Sequence, residues 1–333
     1  METPDPKIEL HVHLEGTVRP GALLRIACRN GVALPASTEA EMAELYRFRD
    51  FPHFIQVWTM TTHALRTERD FREVVVAYAK EAAGLGAVYI EGIFSPAEPV
   101  RYGPSWDEVF SGFCDGVDEA RERFGIEVRL TPDIPRDLET SPEGMMEAAE
   151  RTVRTAAKYR DRGVVGVGLG GLEIEFPPEP FARIFALAHD LGLGSVPHAG
   201  EVGGVASIRG ALDALGADRI RHGIRAVDDP ALMAELAERE IVLDVCPTSN
   251  LRTGAVRSLE EHPLPQLVAA GIACTWNTDD PAMFGIDLAS EHQVARSLGV
   301  SPAAAYEAGV QGALCDARTR ERLAAIGRAA YDV

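Results

Sequence analysis

The sequence predicts an α/β fold in which eight parallel strands close into a (β/α)8 barrel of the TIM type. Eight strand-like runs occur along the chain, and after the second of them a single helical pattern separates each neighbouring pair. Parallel strands need such crossovers, and eight of these units close naturally into a barrel. The 333 residues exceed the roughly 250 of a typical barrel and leave room for insertions.

A doubly wound open sheet is the alternative fold for this alternation. Such a sheet carries a Gly-x-Gly-x-x-Gly turn after its first strand, and no turn of that pattern follows the first strand here. The chain also shows no internal repeat, low-complexity segment or linker. We therefore expect residues 1–333 to form one domain, with a helical insertion after strand one and extra C-terminal helices.

The chain starts with a strand and then a region without strands. The first strand lies in Ile8-Glu-Leu-His-Val-His-Leu-Glu-Gly16, and residues 19–71 read as the helices and loops of the insertion. An aromatic group in the insertion is typical of a core, although it could also wall an apolar ligand pocket. Its members are Phe48, Phe51, Phe54 and Trp58.

Caps and breakers mark the alternating part of the chain. Ser105 and Glu108 form a capping-box pattern, and Pro142 stands at the first position of a later helix. The predicted strands are 87–94, 126–131, 164–170, around 195–198, 219–223, 241–246 and 273–278. The predicted helices are 72–85, 105–124, from 141 onward, 180–191, 205–215, from 229 onward and, in a tail that is helical from 287 onward, from 302 and over 317–331.

Composition and charge narrow the class of protein. The 46% hydrophobic and 25% charged residues are typical of a globular protein. The net charge of −18 argues against binding to nucleic acid, which needs basic residues to neutralise phosphate, and to anionic membranes. No apolar run approaches the roughly 20 residues that cross a bilayer, the N-terminus is polar, and the five scattered cysteines form no Cys-x-x-Cys pair. We therefore expect a cytoplasmic protein with reduced thiols.

Two histidines in the first strand share one face. Side chains two residues apart in a strand point to the same side, so His11 and His13 could hold one metal ion between their imidazoles. The pattern alone is weak, because His-x-His also occurs in ordinary strands. Its meaning depends on whether distant parts of the chain supply further ligands.

Polar side chains stand at the C-terminal ends of several predicted strands, where barrels of this type carry out their chemistry. Each has an ordinary explanation, such as a half-buried histidine, a strand end or a helix cap. Together at one end of the barrel, they indicate a site. They are His11 and His13 after strand one, His198 and Glu201 after strand five, His222 after strand six, Cys246 to Asn250 after strand seven, and Asp279 and Asp280 after strand eight.

Three histidines and one carboxylate suit Zn²⁺, which accepts imidazole nitrogen and carboxylate oxygen. Zinc lowers the pKa of bound water to roughly 7 and so provides hydroxide near neutral pH. The chemistry then needs a proton donor and a base. Glu201 is well placed as the donor, and either Asp280 or His222 could be the base.

These residues belong to motifs that occur in a specific order along most of the chain. The motifs are Pro6-Lys-Ile-Glu-Leu-His-Val-His-Leu-Glu-Gly16, Leu169-Gly-Gly-Leu-Glu173, His198-Ala-Gly-Glu201, His222-Gly223, Cys246-Pro-Thr-Ser-Asn250 and Asn277-Thr-Asp-Asp-Pro281. With them the chain resembles the adenosine deaminase family of zinc aminohydrolases. The resemblance implies a (β/α)8 barrel with one zinc ion per chain, held by His11, His13, His198 and Asp279.

The resemblance also implies a reaction and a role for each residue. The reaction is hydrolytic deamination of a 6-aminopurine to the 6-oxopurine and ammonia. Glu201 would protonate purine N1, His222 would orient the attacking hydroxide, and Asp280 would contact that hydroxide and purine N7. Gly171 would meet purine N3 through its backbone, and His13 would also lie against the substrate.

Two departures from the family pattern bear on the substrate. Glu15 stands where typical members have an aspartate that reaches the ribose 5′-hydroxyl, and Leu172 stands where an acidic residue is usual. A longer carboxylate would fill the ribose space or meet a different 5′ group, whereas Gly171 favours a nucleoside. We therefore expect adenosine or a 5′-modified adenine nucleoside such as aminodeoxyfutalosine, with free adenine as the alternative.

Two other functions are compatible with the sequence. Another metal hydrolase of the same superfamily would cleave an amide or ester, and the lack of an obvious bridging lysine on strand four would favour one metal ion. A catalytically silent nucleoside-binding protein would not need the acid and base that Glu201 and Asp280 provide. The chain lacks the His-x-Glu and Pro-Cys-x-x-Cys motifs of deaminases that act on nucleic-acid bases. We therefore expect a small-molecule purine as the partner, with no nucleic acid and no membrane.

Overall fold

The computed structural model of the protein describes residues 4–48, 51–136 and 141–331. Within these residues the centre is a ring of parallel strands, so the predicted (β/α)8 barrel is confirmed. The strand segments are β1 (Lys7–His13), β2 (Ala87–Ile93), β3 (Glu127–Leu130), β4 (Asp133–Pro135), β5 (Gly166–Gly170), β6 (Gly194–Ser195), β7 (His198–Ala199), β8 (Arg219–His222), β9 (Val242–Val245) and β10 (Cys274–Trp276).

The segments pair in chain order, and the last closes onto the first. One run contains β1 to β3, a second β4 to β6 and a third β7 to β10, and every pair is parallel. Leu130 pairs with Val164 to join β3 to the chain before β5, and Val12 pairs with Asp279 to close the ring. All strands therefore direct their C-terminal ends to one mouth of the barrel.

Two of the eight barrel strands are split at a proline. Pro132 lies between β3 and β4, and Pro197 lies between β6 and β7. Proline has no N–H to donate to the ladder, so pairing stops there and resumes beyond it. The prediction of 126–131 for the third strand is therefore too short, and it leaves out Asp133 in β4.

Helices cover the outside of the ring. They are α1 (Pro20–Asn30), α2 (Glu39–Leu45), α3 (Phe51–Ala64), α4 (Glu68–Gly84), α5 (Ala97–Val100), α6 (Trp106–Phe124), α7 (Pro142–Lys158), α8 (Ala182–Asp190), α9 (Gly204–Asp213), α10 (Pro230–Glu238), α11 (Pro247–Arg252), α12 (Leu264–Ala269), α13 (Pro281–Phe284), α14 (Leu288–Ser297), α15 (Pro302–Gly312) and α16 (Ala317–Tyr331). Among the described helices, none is both long and apolar enough to cross a bilayer.

The helices match the prediction in outline and differ in two respects. The insertion after β1 holds α1 to α3, and α14 to α16 are the extra C-terminal helices. The next helix, α4, begins at Glu68 rather than at 72, because Thr67 and Asp70 form a capping box there. Four short helices, α5, α11, α12 and α13, are absent from the prediction.

The aromatic group of the insertion packs as part of the core. Phe48 and Phe54 lie against Phe284 of α13, with ring centroids 5.7 and 5.5 Å away. Trp58 is half-buried against the same apolar cluster, while the side chain of Phe51 lies outside the described part of the chain. The core interpretation of Phe48 and Phe54 is therefore confirmed.

Candidate metal and active site

The four side chains predicted as metal ligands meet at the C-terminal mouth of the ring. His11 and His13 lie at the end of β1, His198 in β7, and Asp279 just after β10. The Nε2 atom of His198 is 3.1 Å from that of His11 and 3.2 Å from that of His13. Asp279 Oδ1 is 3.1 Å from His11 Nε2 and 3.4 Å from His13 Nε2. Residues from three distant strands thus form one donor set.

The spacing of this donor set fits one zinc ion. Bonds of about 2.0–2.2 Å place neighbouring ligand atoms roughly 3–3.6 Å apart, and the observed separations are 3.1–3.4 Å. His198 Nδ1 lies 3.2 Å from the carbonyl oxygen of Leu169 and donates to it, so its Nε2 directs a lone pair at the cluster. Burial lowers the pKa of His11 and of His13 to about 4, which keeps both rings neutral, as metal binding requires.

Asp279 reaches the donor set through an unusual backbone conformation. Its φ is +62°, in the left-handed region that non-glycine residues seldom adopt and that gathers at functional sites. Its N–H donates to His11 O at 3.1 Å and its carbonyl accepts from His13 N at 2.8 Å. These two hydrogen bonds hold the conformation by joining the chain after β10 to β1.

The environment of the Asp279 carboxyl favours its ionised form. Burial acts to raise its pKa, but the facing imidazoles, His11 first, outweigh that effect and hold the pKa well below its usual range. Ser249 Oγ donates to Asp279 Oδ2 at 2.6 Å, which leaves Oδ1 directed at the histidines. The carboxylate therefore has the charge and the free lone pairs of a ligand.

Glu201 lies in a turn beside the donor set. Thr253 Oγ1 donates to its Oε1 at 3.0 Å. The turn itself is held by the Glu173 carboxylate, which accepts hydrogen bonds from the backbone N–H groups of Gly200, Val202 (2.9 Å) and Gly203 (2.8 Å). Burial raises the pKa of Glu201, which favours the protonated form that a proton donor needs.

His222 and Asp280 complete the polar side of the pocket. His222 Nε2 is 3.6 Å from Glu201 Oε2 and 3.8 Å from Asp279 Oδ2. Asp280 is buried, and its Oδ1 has no hydrogen-bond partner among the described residues. Burial and the nearby Asp279 charge raise its pKa well above the usual range. The adjacent aspartates thus differ in environment: Asp279 joins the histidines, and the Asp280 carboxylate lies against Gly16.

The residues predicted to contact substrate lie around the same mouth. Glu15 is buried, its Oε1 accepts from Ser95 N at 2.8 Å, and its Oε2 has no partner within the described chain. Burial raises the pKa of Glu15 to about 7. Gly171 follows β5 with a φ of +105°, which explains why glycine stands there.

Several residues that sequence reasoning missed support these groups. Asp133 was outside the predicted strand and gave no signal. Asn250 lies in a quoted motif, but nothing in the motif indicated its contact with His222, and His262 stood alone in a loop. The supporting residues and the groups that they contact are Asp133 (3.4 Å from His198 Nδ1), Ser249 (Asp279), Asn250 (His222), Thr253 (Glu201), Glu173 (the turn that holds Glu201) and His262 (Asn250).

Comparison with known proteins assigns the chain to a family. The family model for adenosine deaminase matches residues 6–326. The chain belongs to the adenosine deaminase family. This membership confirms the predicted hydrolytic aminohydrolase and the resemblance on which that prediction rested.

Three known members of this fold family are similar over almost the whole chain. Aminodeoxyfutalosine deaminase of Acidothermus cellulolyticus is 54% identical over 97% of this chain and 91% of its own. Adenine deaminase of Arthrobacter aurescens superposes with a TM-score of 0.91 at 30% identity, covering 98% of this chain and all of that one. A Burkholderia ambifaria amidohydrolase solved with bound zinc gives 0.88 at 29% identity, covering 98% and 91%.

Proposed function

We propose that this deaminase removes the 6-amino group from a 5′-modified adenine nucleoside, with aminodeoxyfutalosine as the expected substrate and adenosine as a simpler nucleoside of the same class. The observation that carries the proposal is that His222 Nε2 lies 3.6 Å from Glu201 Oε2 and 3.8 Å from Asp279 Oδ2 of the four-atom donor set. The identity of the substrate is supported by the relative of 54% identity, an aminodeoxyfutalosine deaminase, and by the buried Glu15 with its unpaired oxygen among the described residues.

The proposed metal is one zinc ion per chain. Its ligands would be His11, His13, His198 and Asp279, whose neutral rings and ionised carboxylate suit zinc. When bound, zinc lowers the pKa of water to about 7 and so supplies hydroxide near neutral pH. The zinc-containing amidohydrolase of the same fold supports this choice of metal.

The pocket residues move the protons of the reaction. The protonated Glu201 carboxyl donates to purine N1, which draws electrons from C6 and prepares that carbon for hydroxide attack. A metal ion on Asp279 would offset the charge that raises the pKa of Asp280, so Asp280 could then accept a proton from the attacking water and return it to the 6-amino group, which leaves as ammonia. The remaining hydroxyl proton at C6 returns to Glu201 as the 6-oxo group forms. His222 faces the space between Glu201 and Asp279, where the attacking oxygen has to lie.

Other residues of the mouth bind the substrate. Gly171 would meet purine N3 through its backbone, and His13 would lie against the purine. Glu15 would meet the 5′ side of the nucleoside, because its carboxylate lies beside Ser95 at the end of the neighbouring barrel strand. The substrate is then a free small molecule rather than a base in nucleic acid.

Free adenine is the alternative substrate. It is supported by the structural likeness to the adenine deaminase of Arthrobacter aurescens and by a Glu15 carboxylate long enough to occupy the ribose space. A nucleoside-binding protein without catalysis is the alternative from another class. Both are separated from the main proposal by measuring ammonia release from a panel of purines.

The test compares adenine, adenosine, deoxyadenosine, methylthioadenosine and aminodeoxyfutalosine on one zinc-loaded preparation. We expect the highest kcat/KM for aminodeoxyfutalosine and a fall in kcat of about 100-fold or more for Glu201→Gln, since an acid–base group contributes at least that much. Glu321→Gln on the exposed face of α16 is the control and should retain full activity. Highest kcat/KM for adenine would support the alternative, and purine binding without ammonia release would contradict the proposal.

A further inference from the structure

Behind His222, away from the pocket, two buried side chains form a chain of hydrogen bonds. Asn250 Nδ2 is 3.1 Å from His222 Nδ1, and His262 Nε2 is 3.2 Å from Asn250 Oδ1. His262 Nδ1 in turn lies 3.1 Å from the backbone nitrogen of Leu264. The three side chains are at most 3% exposed, so bulk water does not replace any of these bonds.

The chain of bonds has a definite direction because it begins at a backbone N–H. The Leu264 N–H can only donate, so His262 Nδ1 accepts and carries no proton. Burial lowers the pKa of His262 to about 4, which keeps the ring neutral at physiological pH. A neutral ring with a bare Nδ1 carries its proton on Nε2, so His262 donates to Asn250.

The direction then passes through the Asn250 amide to His222. Because Asn250 Oδ1 accepts from His262, the amide presents Nδ2 to His222, and an amide nitrogen only donates. His222 Nδ1 must accept that hydrogen bond. The ring of His222 therefore carries its proton on Nε2, the atom that faces Glu201 Oε2 at 3.6 Å and Asp279 Oδ2 at 3.8 Å.

We propose that Asn250 and His262 are positioning residues that fix His222 in the tautomer with Nε2–H directed into the pocket. His222 then acts on the attacking water as a hydrogen-bond donor and does not accept its proton. That proton therefore passes to another group of the pocket, so His222 is not the base. The kinetic consequence rests on the proposed deamination, whereas the tautomer is independent of it.

The decisive variant is Asn250→Asp, which keeps the shape of the side chain and replaces its NH2 donor by an oxygen that accepts hydrogen bonds. An ionised carboxylate only accepts, so it would accept a hydrogen bond from His222 Nδ1–H and hold the ring proton on that atom, the opposite of the wild-type tautomer. We expect kcat to fall by about 100-fold or more, as for a catalytic histidine held in the wrong tautomer. KM should change by less than about tenfold, because the residues assigned to purine binding are untouched.

Two substitutions of His262 separate donation from packing. Gln in His262→Gln has an amide N–H that can still donate to Asn250 Oδ1, so most activity should remain. Phe in His262→Phe fills the space but has no donor. The Asn250 amide is then free to rotate by 180° and exchange its O and N atoms, so kcat should fall by at least about tenfold. His292→Phe is the matched control: it removes another buried histidine, beside Trp276, outside the chain of bonds, and should leave kcat unchanged.

Ring ¹⁵N chemical shifts of histidine-labelled, zinc-loaded protein measure the tautomer directly. We expect a protonated Nε2 and an unprotonated Nδ1 for His222 in the wild type, and a protonated Nδ1 in Asn250→Asp. A wild-type spectrum with a protonated His222 Nδ1 would overturn the proposal, as would full kcat in Asn250→Asp. The spectrum can be recorded without any turnover. If the protein shows the expected tautomer but deaminates none of the purines, the proposed function is wrong and the positioning role of Asn250 and His262 is still supported.

Discussion

At the scale of single residues, Asp133 links the donor set to the interior of the barrel. Its Oδ2 lies 3.4 Å from His198 Nδ1, and its Oδ1 pairs with the guanidinium of Arg221. Gly168 leaves the space for this pair, because a Cβ at Gly168 would overlap both groups. The Leu169 carbonyl accepts the Nδ1 proton of His198, and the Asp133 charge beside it adds to the basicity of the ring.

We expect Asp133→Asn to weaken metal binding and also to lower the free energy of unfolding, because it leaves the buried Arg221 guanidinium without its carboxylate. The amide keeps the shape and loses the charge, and loss of such an outer partner typically costs about 10–100-fold in metal affinity. Competition with a chromophoric chelator measures this affinity without any substrate. Removal of the metal should abolish deamination, and added zinc should restore it.

The control for Asp133→Asn is a carboxylate far from the donor set. Asp218 Oδ2 accepts from Ser195 N at 2.8 Å, at the β6 end of its barrel strand. Asp218→Asn should change thermal stability but not zinc affinity. Equal zinc affinity for Asp133→Asn and the wild type would show that Asp133 has no part in holding His198.

At the scale of elements, the helical turn after β1 and helix α13 shape the pocket together. The turn (Glu15–Thr17) packs on α13, and Gly16 leaves just enough space for the Asp280 carboxylate before that helix. A Cβ at Gly16 would overlap Asp280 Oδ1. Asp280, the proposed base, can therefore occupy its position only because residue 16 is a glycine and has no Cβ.

Gly16→Ala should reduce both activity and stability. The added Cβ would also lie 2.6 Å from Asp280 Cβ, so the backbone of one segment has to shift, and a displacement of about 1 Å in a reacting group can cost roughly 100-fold in rate. Gly84→Ala is the control, because a Cβ there meets nothing within 4 Å, and it should be neutral or stabilise by at most about 1 kcal/mol. Measurements of kcat and of the unfolding midpoint on both variants decide the question; equal kcat values would rule out the steric role of Gly16.

At the scale of the whole molecule, buried charged pairs fill the inside of the ring. Arg219 in β8 donates to Glu91 Oε2 at 2.7 Å and to Asp244 Oδ2 at 2.5 Å, and all three side chains are fully buried. These bonds join β2, β8 and β9 across the barrel. Together with the closure of the last strand onto the first, they support a single domain over residues 1–333, which stays a prediction.

The buried His292 makes global stability depend on pH. Burial, followed by the charges of Lys7 and Arg296, lowers its pKa from 6.5 to about 3. Below pH 6.5 the unfolded chain takes up a proton that the folded chain does not, so the free energy of unfolding falls as the pH decreases from 6.5 towards 3. Above pH 6.5 both states are neutral and this contribution is constant.

We expect His292→Phe to flatten this dependence by an amount on the order of a few kcal/mol between pH 6.5 and 4. Denaturant unfolding at a series of pH values measures it as a difference from the wild type, which cancels the opposite effect of buried carboxyls such as Glu291, whose pKa is raised to about 7. His189→Phe, at an exposed histidine, is the control. Parallel wild-type and His292→Phe curves would contradict the assignment.

Much of the site follows from local sequence pattern. The two-residue period of a strand places His11 and His13 on one face, whatever the rest of the chain does. The alternation of strands and helices sends every strand the same way, so the polar residues that follow β7 and β10 arrive at one mouth. The shared face of the histidines and the common direction of the strands follow from local backbone geometry, which the sequence of each short segment determines.

The tertiary structure decided which distant side chains meet. Asp133 reaches His198 only because Pro132 splits the third barrel strand and β4 continues beyond it, and Arg221 comes to it from another strand. His262 joins Asn250 and His222 through the fold of a loop that has no periodicity. Such pairings are set by the register of the strands and the closure of the ring. Both depend on contacts along the whole chain, so no local pattern of residues predicts these pairings.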